Sequence, residues 1–213
     1  GDELLRNADL AMYTAKSAGK SCYRVFAEEM HLAAVERLDL ETHLRGAAAR
    51  EELVVQYQPI RDLRTGRLVS LEALVRWNHP ERGLLGPMSF IPFAEQGGLI
   101  DEIGRHVLSR ACDEALAWVE LAGPAAPSVS VNLSPRQLLD PDLPDHVEGL
   151  LRSRDLAPER LVLEITESAL MEDRAGAGPS LQRLGRLGVR IAIDDFGTGY
   201  SSLAYLQQFP VHL

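Results

Sequence analysis

Lysine is almost missing from this sequence. Lys16 and Lys20 are its only lysines, and from Ser21 onward every formally positive side chain is an arginine. Cysteine is as scarce. Cys22 and Cys112 are too few for a disulfide framework and have no zinc-site spacing, so two inert reduced thiols are expected. Positive charge as a whole is short: 22 Lys+Arg face 31 Asp+Glu, a formal net charge of −9. The basic face that would hold duplex DNA or RNA, or an anionic membrane, is therefore not expected. No apolar run approaches the roughly 20 residues needed to cross a bilayer, so no membrane segment is expected within the chain. No signal peptide is visible, and the chain opens without an initiator Met at Gly1-Asp2-Glu3, in the manner of a piece of something longer. What is present is an ordinary globular composition, 46% hydrophobic and 25% charged, in 213 residues. That is enough for one good core, or one domain and part of another.

The charge is uneven. Residues 1–50 carry 7 basic and 8 acidic groups, residues 51–213 carry 15 and 23, so the acid excess belongs to the second segment. The first segment reads as helix over 3–19, with Leu4, Leu5, Ala8, Ala11, Met12 and Ala15 in a stripe and Gly19 as C-cap, followed by a short strand at 22–26. This pair is too small to fold alone. Residues 28–50 lack proline and are rich in Ala, Leu, Glu and Arg, so a connecting helix is expected there. A different pattern begins at Leu53. Strands are expected over 53–60 and 68–77, joined as a hairpin by Arg64-Thr65-Gly66-Arg67. In the second strand Ser70, Glu72, Leu74 and Arg76 share one face, and Val69, Leu71, Ala73 and Val75 the other. A loop over 78–88 precedes an amphipathic helix over 100–121. Strands at 127–133, 161–166 and 189–194 then alternate with helices at 143–154, 179–187 and 201–208, and Val211-His212-Leu213 starts another strand. Such alternation implies parallel strands with crossover helices, an α/β fold.

Acids recur in or at the ends of otherwise apolar strands: Glu72, Glu164, Asp194 and Asp195. In a barrel the C-terminal ends of successive parallel strands build the site. Gathered there, four carboxylates would repel one another unless protonated or held by a multivalent cation. With Asn132 adding an amide oxygen, the all-oxygen set suits Mg²⁺ or Mn²⁺ better than Zn²⁺. The six histidines (His31, His43, His79, His106, His146, His212) form no metal spacing and read as structural or surface residues. The densest chemistry is Asp194-Asp195-Phe196-Gly197-Thr198-Gly199-Tyr200-Ser201-Ser202, two adjacent acids before a glycine-rich loop and two natural helix N-caps.

Leu71-Glu72-Ala73-Leu74-Val75-Arg76-Trp77 resembles the signature of EAL-domain cyclic di-GMP phosphodiesterases. So do Gln56-Tyr57-Gln58-Pro59, Phe90-Ile91-Pro92 with Ala94-Glu95, Asn132-Leu133-Ser134, Leu163-Glu164-Ile165-Thr166-Glu167-Ser168 and the whole 194–202 stretch. A bare Glu-Ala-Leu triplet means little; the ordered set is specific, and the resemblance covers roughly residues 30–213. It implies a TIM-like (β/α)8 barrel with an antiparallel first strand, and metal-dependent hydrolysis of cyclic di-GMP to linear pGpG. By motif, Glu72, Asn132, Glu164 and Asp194 would hold one Mg²⁺ or Mn²⁺, and Asp195 a second that Asp194 could bridge. Arg76 would contact substrate phosphate, Gln58 and Leu74 would touch substrate, and Glu167 would tether the 196–202 loop. The resemblance also implies a homodimer and a bacterial cytoplasmic setting, with a membrane tether of the parent through segments outside this chain left open, and the alternative of a catalytically silent cyclic di-GMP receptor. An interaction module using the barrel surface has no specific support.

The N-terminal segment, with Ala8-Asp9-Leu10-Ala11-Met12-Tyr13, Ala15-Lys16 and Gly19-Lys20, resembles the last helix and strand of an α/β GGDEF (diguanylate cyclase) domain. The expected domains are a GGDEF remnant over 1–27, a connector over 28–50 and an EAL domain over 51–213. Two departures from the family pattern stand out. Glu95-Gln96-Gly97-Gly98 is looser than the usual ending of that segment. The chain also stops at Leu213, before the family's catalytic lysine, second-metal glutamate and substrate-binding glutamine. A barrel of about six strands and little or no hydrolysis by these 213 residues alone are therefore expected.

Overall fold

The structure is a computed structural model that describes residues 2–17, 22–23, 25–172 and 177–195. It divides into two compact units, Gly1–Gly46 and Ala47–Leu213.

In the first unit, α1 (Asp2–Ser17) and α2 (Glu28–Leu44) pack together. Leu4, Ala8, Ala11, Met12 and Ala15 of α1 line an open apolar groove with Cys22, Tyr23 and Phe26. The strand expected at 22–26 does not form: Cys22, Tyr23, Val25 and Phe26 are in neither helix nor strand. A strand is held by a ladder partner, and among the described residues of this unit the regular elements are α1 and α2, with no other strand to pair with. The helix expected over 28–50 ends at Leu44, and the chain turns through 45–50 with Gly46 at φ 71°.

The second unit is an α/β sheet. β1 (Leu53–Arg61) runs antiparallel to β2 (Leu68–His79), which carries the short β3 (Gly83–Leu85) on its far end. α3 (Ile91–Gly97) and α4 (Ile100–Ala122) lead to β4 (Ser128–Asn132). α5 (Pro135–Leu138) and α6 (Leu143–Ser153) lead to β5 (Leu161–Thr166), and α7 (Glu167–Glu172) and α8 (Ala177–Leu187) to β6 (Arg190–Asp194). The order is β1-β2-β4-β5-β6, with β2, β4, β5 and β6 mutually parallel. The antiparallel first strand and the parallel β2, β4, β5 and β6 agree with the expected fold. Helix and strand at 201–213 lie outside the described residues.

The hairpin is made by Asp62 as much as by the residues after it. Its carboxylate accepts from the Arg64 and Thr65 amides (3.0 and 2.7 Å) and the Thr65 hydroxyl (2.8 Å), and Gly66 takes φ 69°. These bonds, the Thr65 hydroxyl first, hold the Asp62 carboxyl below its usual range. α3 begins with Pro92 in its first turn and ends on Gly98 at φ 74°, in the left-handed region a Cβ disfavours.

Alternation divides the strands cleanly. Val129 and Val131, Leu161, Leu163 and Ile165, and Ile191 face the helices and are buried. Against them lie Leu108, Ala111 and Cys112 of α4, Val147 of α6, and Leu181 and Leu184 of α8. Each such Leu or Ile contributes about 1.5–3 kcal/mol by leaving water. Arg154 pins α6 to α4, donating to Asp113 Oδ1 and Ser109 Oγ at 2.8 Å each. Fully buried Trp77 meets the Phe90 ring edge-on at 5.7 Å and donates its indole N–H to Glu52 (3.2 Å), which fixes the segment between β2 and α3.

Candidate active site

The other face of the sheet collects the chemistry, and the ladder registers say how. Gln58 of β1 pairs with Glu72 of β2, and Glu72 with Ser130 of β4. Asn132 pairs with Glu164 of β5, Glu164 with Ala192 of β6, and Thr166 with Asp194. Paired residues point to the same side, so Gln58, Glu72, Asn132, Glu164 and Asp194 share one face. Glu72 is not at a strand end: β2 runs on to His79, which places Leu74 and Arg76 beyond it on the same face. Asp195 follows Asp194 off the end of β6 with φ 55°, a conformation Asp tolerates better than most residues, and its amide donates to Asp194 Oδ1 at 2.9 Å.

The electrostatics are those of crowded acids. Burial, with the Glu72 and Asp194 carboxylates adding to it, holds the Glu164 carboxyl above its usual range; a hydrogen bond from Ser130 opposes them. Asn132 Nδ2 donates to Glu72 Oε1 at 2.8 Å, so the amide and this carboxylate already meet across β2 and β4. The donor set fits a hard divalent cation: three mutually repelling carboxylates and an amide that can turn its oxygen inward. As they stand, no three His, Cys, Asp or Glu side chains among the described residues are gathered closely enough to hold an ion. Ligation therefore requires side-chain rotation within the same face.

The remaining site candidates are less central. Gln58 is exposed on β1, and Arg76 donates to its neighbour's carbonyl, Val75 O, at 2.9 Å. Glu167 is not on the acidic face; it opens α7 and is 1% exposed. The 196–202 loop it was expected to tether lies outside the described residues. Sequence reasoning placed Ser70 on the face of Glu72 without giving it a role and passed over Ser128 and Ser130; all three line the same face beneath the acids, and the period-2 spacing of Ser128 and Ser130 with Asn132 was the available signal. It also passed over Gln137, whose Oε1 accepts from the Ser134 amide at 3.1 Å just after Asn132.

A parallel-dominated α/β sheet with its acids on one face at the carboxyl side of the strands is the architecture of a barrel-type active site. Residues 41–213 match the EAL domain family, and the chain belongs to it. It is 49% identical over 209 residues to a signaling protein of Caulobacter vibrioides described as uncharacterized, covering 98% of this chain and 25% of that protein. It is 44% identical over 208 residues to the bifunctional diguanylate cyclase/cyclic di-GMP phosphodiesterase MucR of Pseudomonas aeruginosa, covering 98% and 30% respectively. Among solved structures, the PaMucR phosphodiesterase in complex with c-di-GMP superposes with a TM-score of 0.77 at 43% identity, covering 81% of this chain and 70% of that one. The chain thus spans about a quarter to a third of the length of these curated relatives.

Proposed function

We propose that the chain is part of a protein that hydrolyses cyclic di-GMP to linear pGpG with the help of two divalent cations, Mg²⁺ or Mn²⁺. The observation that carries this reading is the shared face of Glu72, Asn132, Glu164 and Asp194, with the Glu164 carboxyl raised by burial and by its acidic neighbours. The relatives named above support it. Glu72, Asn132, Glu164 and Asp194 would hold the first cation, and Asp195, with Asp194 bridging, the second. Bound there, the cations would supply Lewis acidity at the phosphodiester and a reactive water near neutral pH. The chain's own residues do the rest. Arg76 offers a fork of N–H donors to a substrate phosphate once released from the Val75 carbonyl. Gln58 and Leu74 flank Glu72 and orient the dinucleotide across β1 and β2. Glu167 holds the 196–202 loop in place. In the same reading residues 1–27 are the end of a GGDEF domain, 28–50 the connector and 51–213 EAL domain; the protein works as a dimer in the bacterial cytoplasm.

The test is cyclic di-GMP turnover by the full-length protein with and without Mg²⁺ or Mn²⁺, wild type against Glu72→Ala. Metal-dependent hydrolysis that the substitution lowers by at least about 100-fold, nearly 3 kcal/mol of barrier, supports the reading. Tight binding without turnover in the wild type would replace it with a receptor.

A further inference from the structure

Asn132 is the one neutral residue of the proposed cation set, and it sits where β4 runs out. On the β2 side the ladder ends one residue earlier, at Ala73 with Val131. On the β5 side it ends at Asn132 itself with Glu164, and one more bond follows, from the Leu133 amide to Glu164 O at 2.8 Å. Strand ends fray unless something beyond them holds the chain. Here Gln137 holds it. Its Oε1 accepts from the Ser134 amide at 3.1 Å, two residues past Asn132. The direction is fixed, since a backbone N–H only donates and a side-chain amide accepts only through its oxygen. Gln137 is itself seated: it is 5% exposed, and its Nε2 fills the space over Gly104 of α4, where a Cβ would lie 1.8 Å away. Arg136 adds a second anchor, donating from Nη1 to Glu95 O of α3 at 2.8 Å. Contacts with unambiguous donors therefore run from α3 and α4 to the backbone beside Asn132, whose Nδ2 reaches Glu72 Oε1.

The capping box that starts α5 has two halves, and they do different things. Ser134 Oγ accepts from amides of the first helical turn, Arg136 N at 3.2 Å among them, and so holds the helix. Gln137 accepts from the amide of Ser134 and so holds the end of the strand. It supplies beyond Asn132 what another ladder pair would supply within β4.

We propose that Gln137, seated in the notch left by Gly104, is a positioning residue that fixes the end of β4 so that Asn132 presents its amide to the cation beside Glu72 and Glu164. This rests on reading Asn132 as a cation ligand. Gln137 touches neither cation nor substrate. It acts through the backbone of 132–134, as groups that hold metal ligands commonly do, with effects of roughly 10–100-fold on metal affinity.

The test is Mn²⁺ binding to the full-length protein, followed by the electron paramagnetic resonance signal of free Mn²⁺, with thermal unfolding recorded on the same samples. The uptake that counts is the part Glu72→Ala removes. The variants are Q137M, G104A and S134A. Methionine keeps the length that fills the notch but offers only a weak acceptor. G104A evicts the Gln137 amide from the α4 side. S134A removes the half of the box that holds the helix and leaves the Ser134 amide on Gln137. The expected result is an affinity loss of about 10-fold in Q137M and G104A, with S134A within about 2-fold of wild type although it loses stability. A purely structural capping box would make affinity follow stability across all three. Wild-type affinity in Q137M or in a folded G104A, or a loss in S134A as large as in Q137M, overturns the proposal. If G104A does not fold, Q137M decides alone. The cation reading fails separately, if the wild type takes up no Mn²⁺ or if Glu72→Ala leaves uptake unchanged. In that event, crystal structures of metal-free wild type and Q137M decide the positioning role. Asn132 withdrawn from Glu72 in Q137M supports it, and Asn132 left in place overturns it.

Discussion

Gly104 lies in the interior of α4, where alanine would ordinarily stabilise the helix by about 1 kcal/mol. Here the sign should reverse. A Cβ built on Gly104 falls 1.8 Å from Gln137 Nε2 and 2.7 Å from Gln137 Cδ, so the amide must leave its place. Gln137 is 5% exposed, and its Oε1 accepts from the Ser134 amide at 3.1 Å, closing the capping box that starts α5. Displacing it gives up that bond, about 1 kcal/mol, and strands a buried polar group at about 1–3 kcal/mol. Against the helix gain, Gly104→Ala should lose about 1–3 kcal/mol net, and Tm should fall by roughly 2–4 °C for each of them in a protein of this size. Urea unfolding followed by far-ultraviolet circular dichroism measures this for G104A, Q137A and the double variant. Because both substitutions remove one interaction, the double variant should lose clearly less than the sum of the singles. A G104A protein as stable as the wild type, or strictly additive losses, would refute the reasoning.

Two further outcomes follow from titrating groups in the same unit. Burial first, then Arg105 and Arg154 against an opposing Asp140, pushes the His146 pKa below its ordinary value, and its Nε2 has no hydrogen-bond partner. The folded state therefore binds fewer protons than the unfolded one, so stability is whole above the unfolded pKa of about 6.5 and is lost as pH falls from there toward the folded pKa. His146→Phe should flatten the stability slope between about pH 7 and 5; equal slopes in the two proteins would contradict the assignment. Cys112 is wholly buried and its thiol pKa is pushed up to about 11, chiefly by burial, whereas Cys22 is exposed. A disulfide reagent at mildly alkaline pH should modify one thiol quickly and the second only on unfolding. Two equally fast thiols would show that α4 opens far more readily than its packing implies.

The acidic face was legible because charge in a strand is conspicuous. Glu72, Glu164 and Asp194 interrupt apolar runs with period-2 spacing, and a carboxylate among Val, Ile and Leu needs a reason that local propensity does not provide. α3 was missed because residues 89–99 received no assignment: seven residues show too little periodicity to mark a helix, yet proline is at home in a first helical turn and Gly98 closes the helix. The strand expected at 22–26 failed for the converse reason, since a short apolar run fixes no ladder without a neighbour. The serine layer was half legible: period-2 spacing puts Ser70 with Glu72, and Ser128 and Ser130 with Asn132, but does not say that the two strands are neighbours. Ser70 meets Ser128 only because β2 and β4 pair in parallel with Ser70 opposite Ser128 and Glu72 opposite Ser130. That register joins segments nearly sixty residues apart, too far for any local pattern to record. A register slip of one residue would turn every one of these side chains to the helix face. It would put three hydroxyls and the Glu72 carboxylate among the Leu and Val of the core. The apolar alternation on the outer face therefore positions the acids on the inner one, and a substitution such as Val131→Asp should damage the site through the register before it touches any ligand.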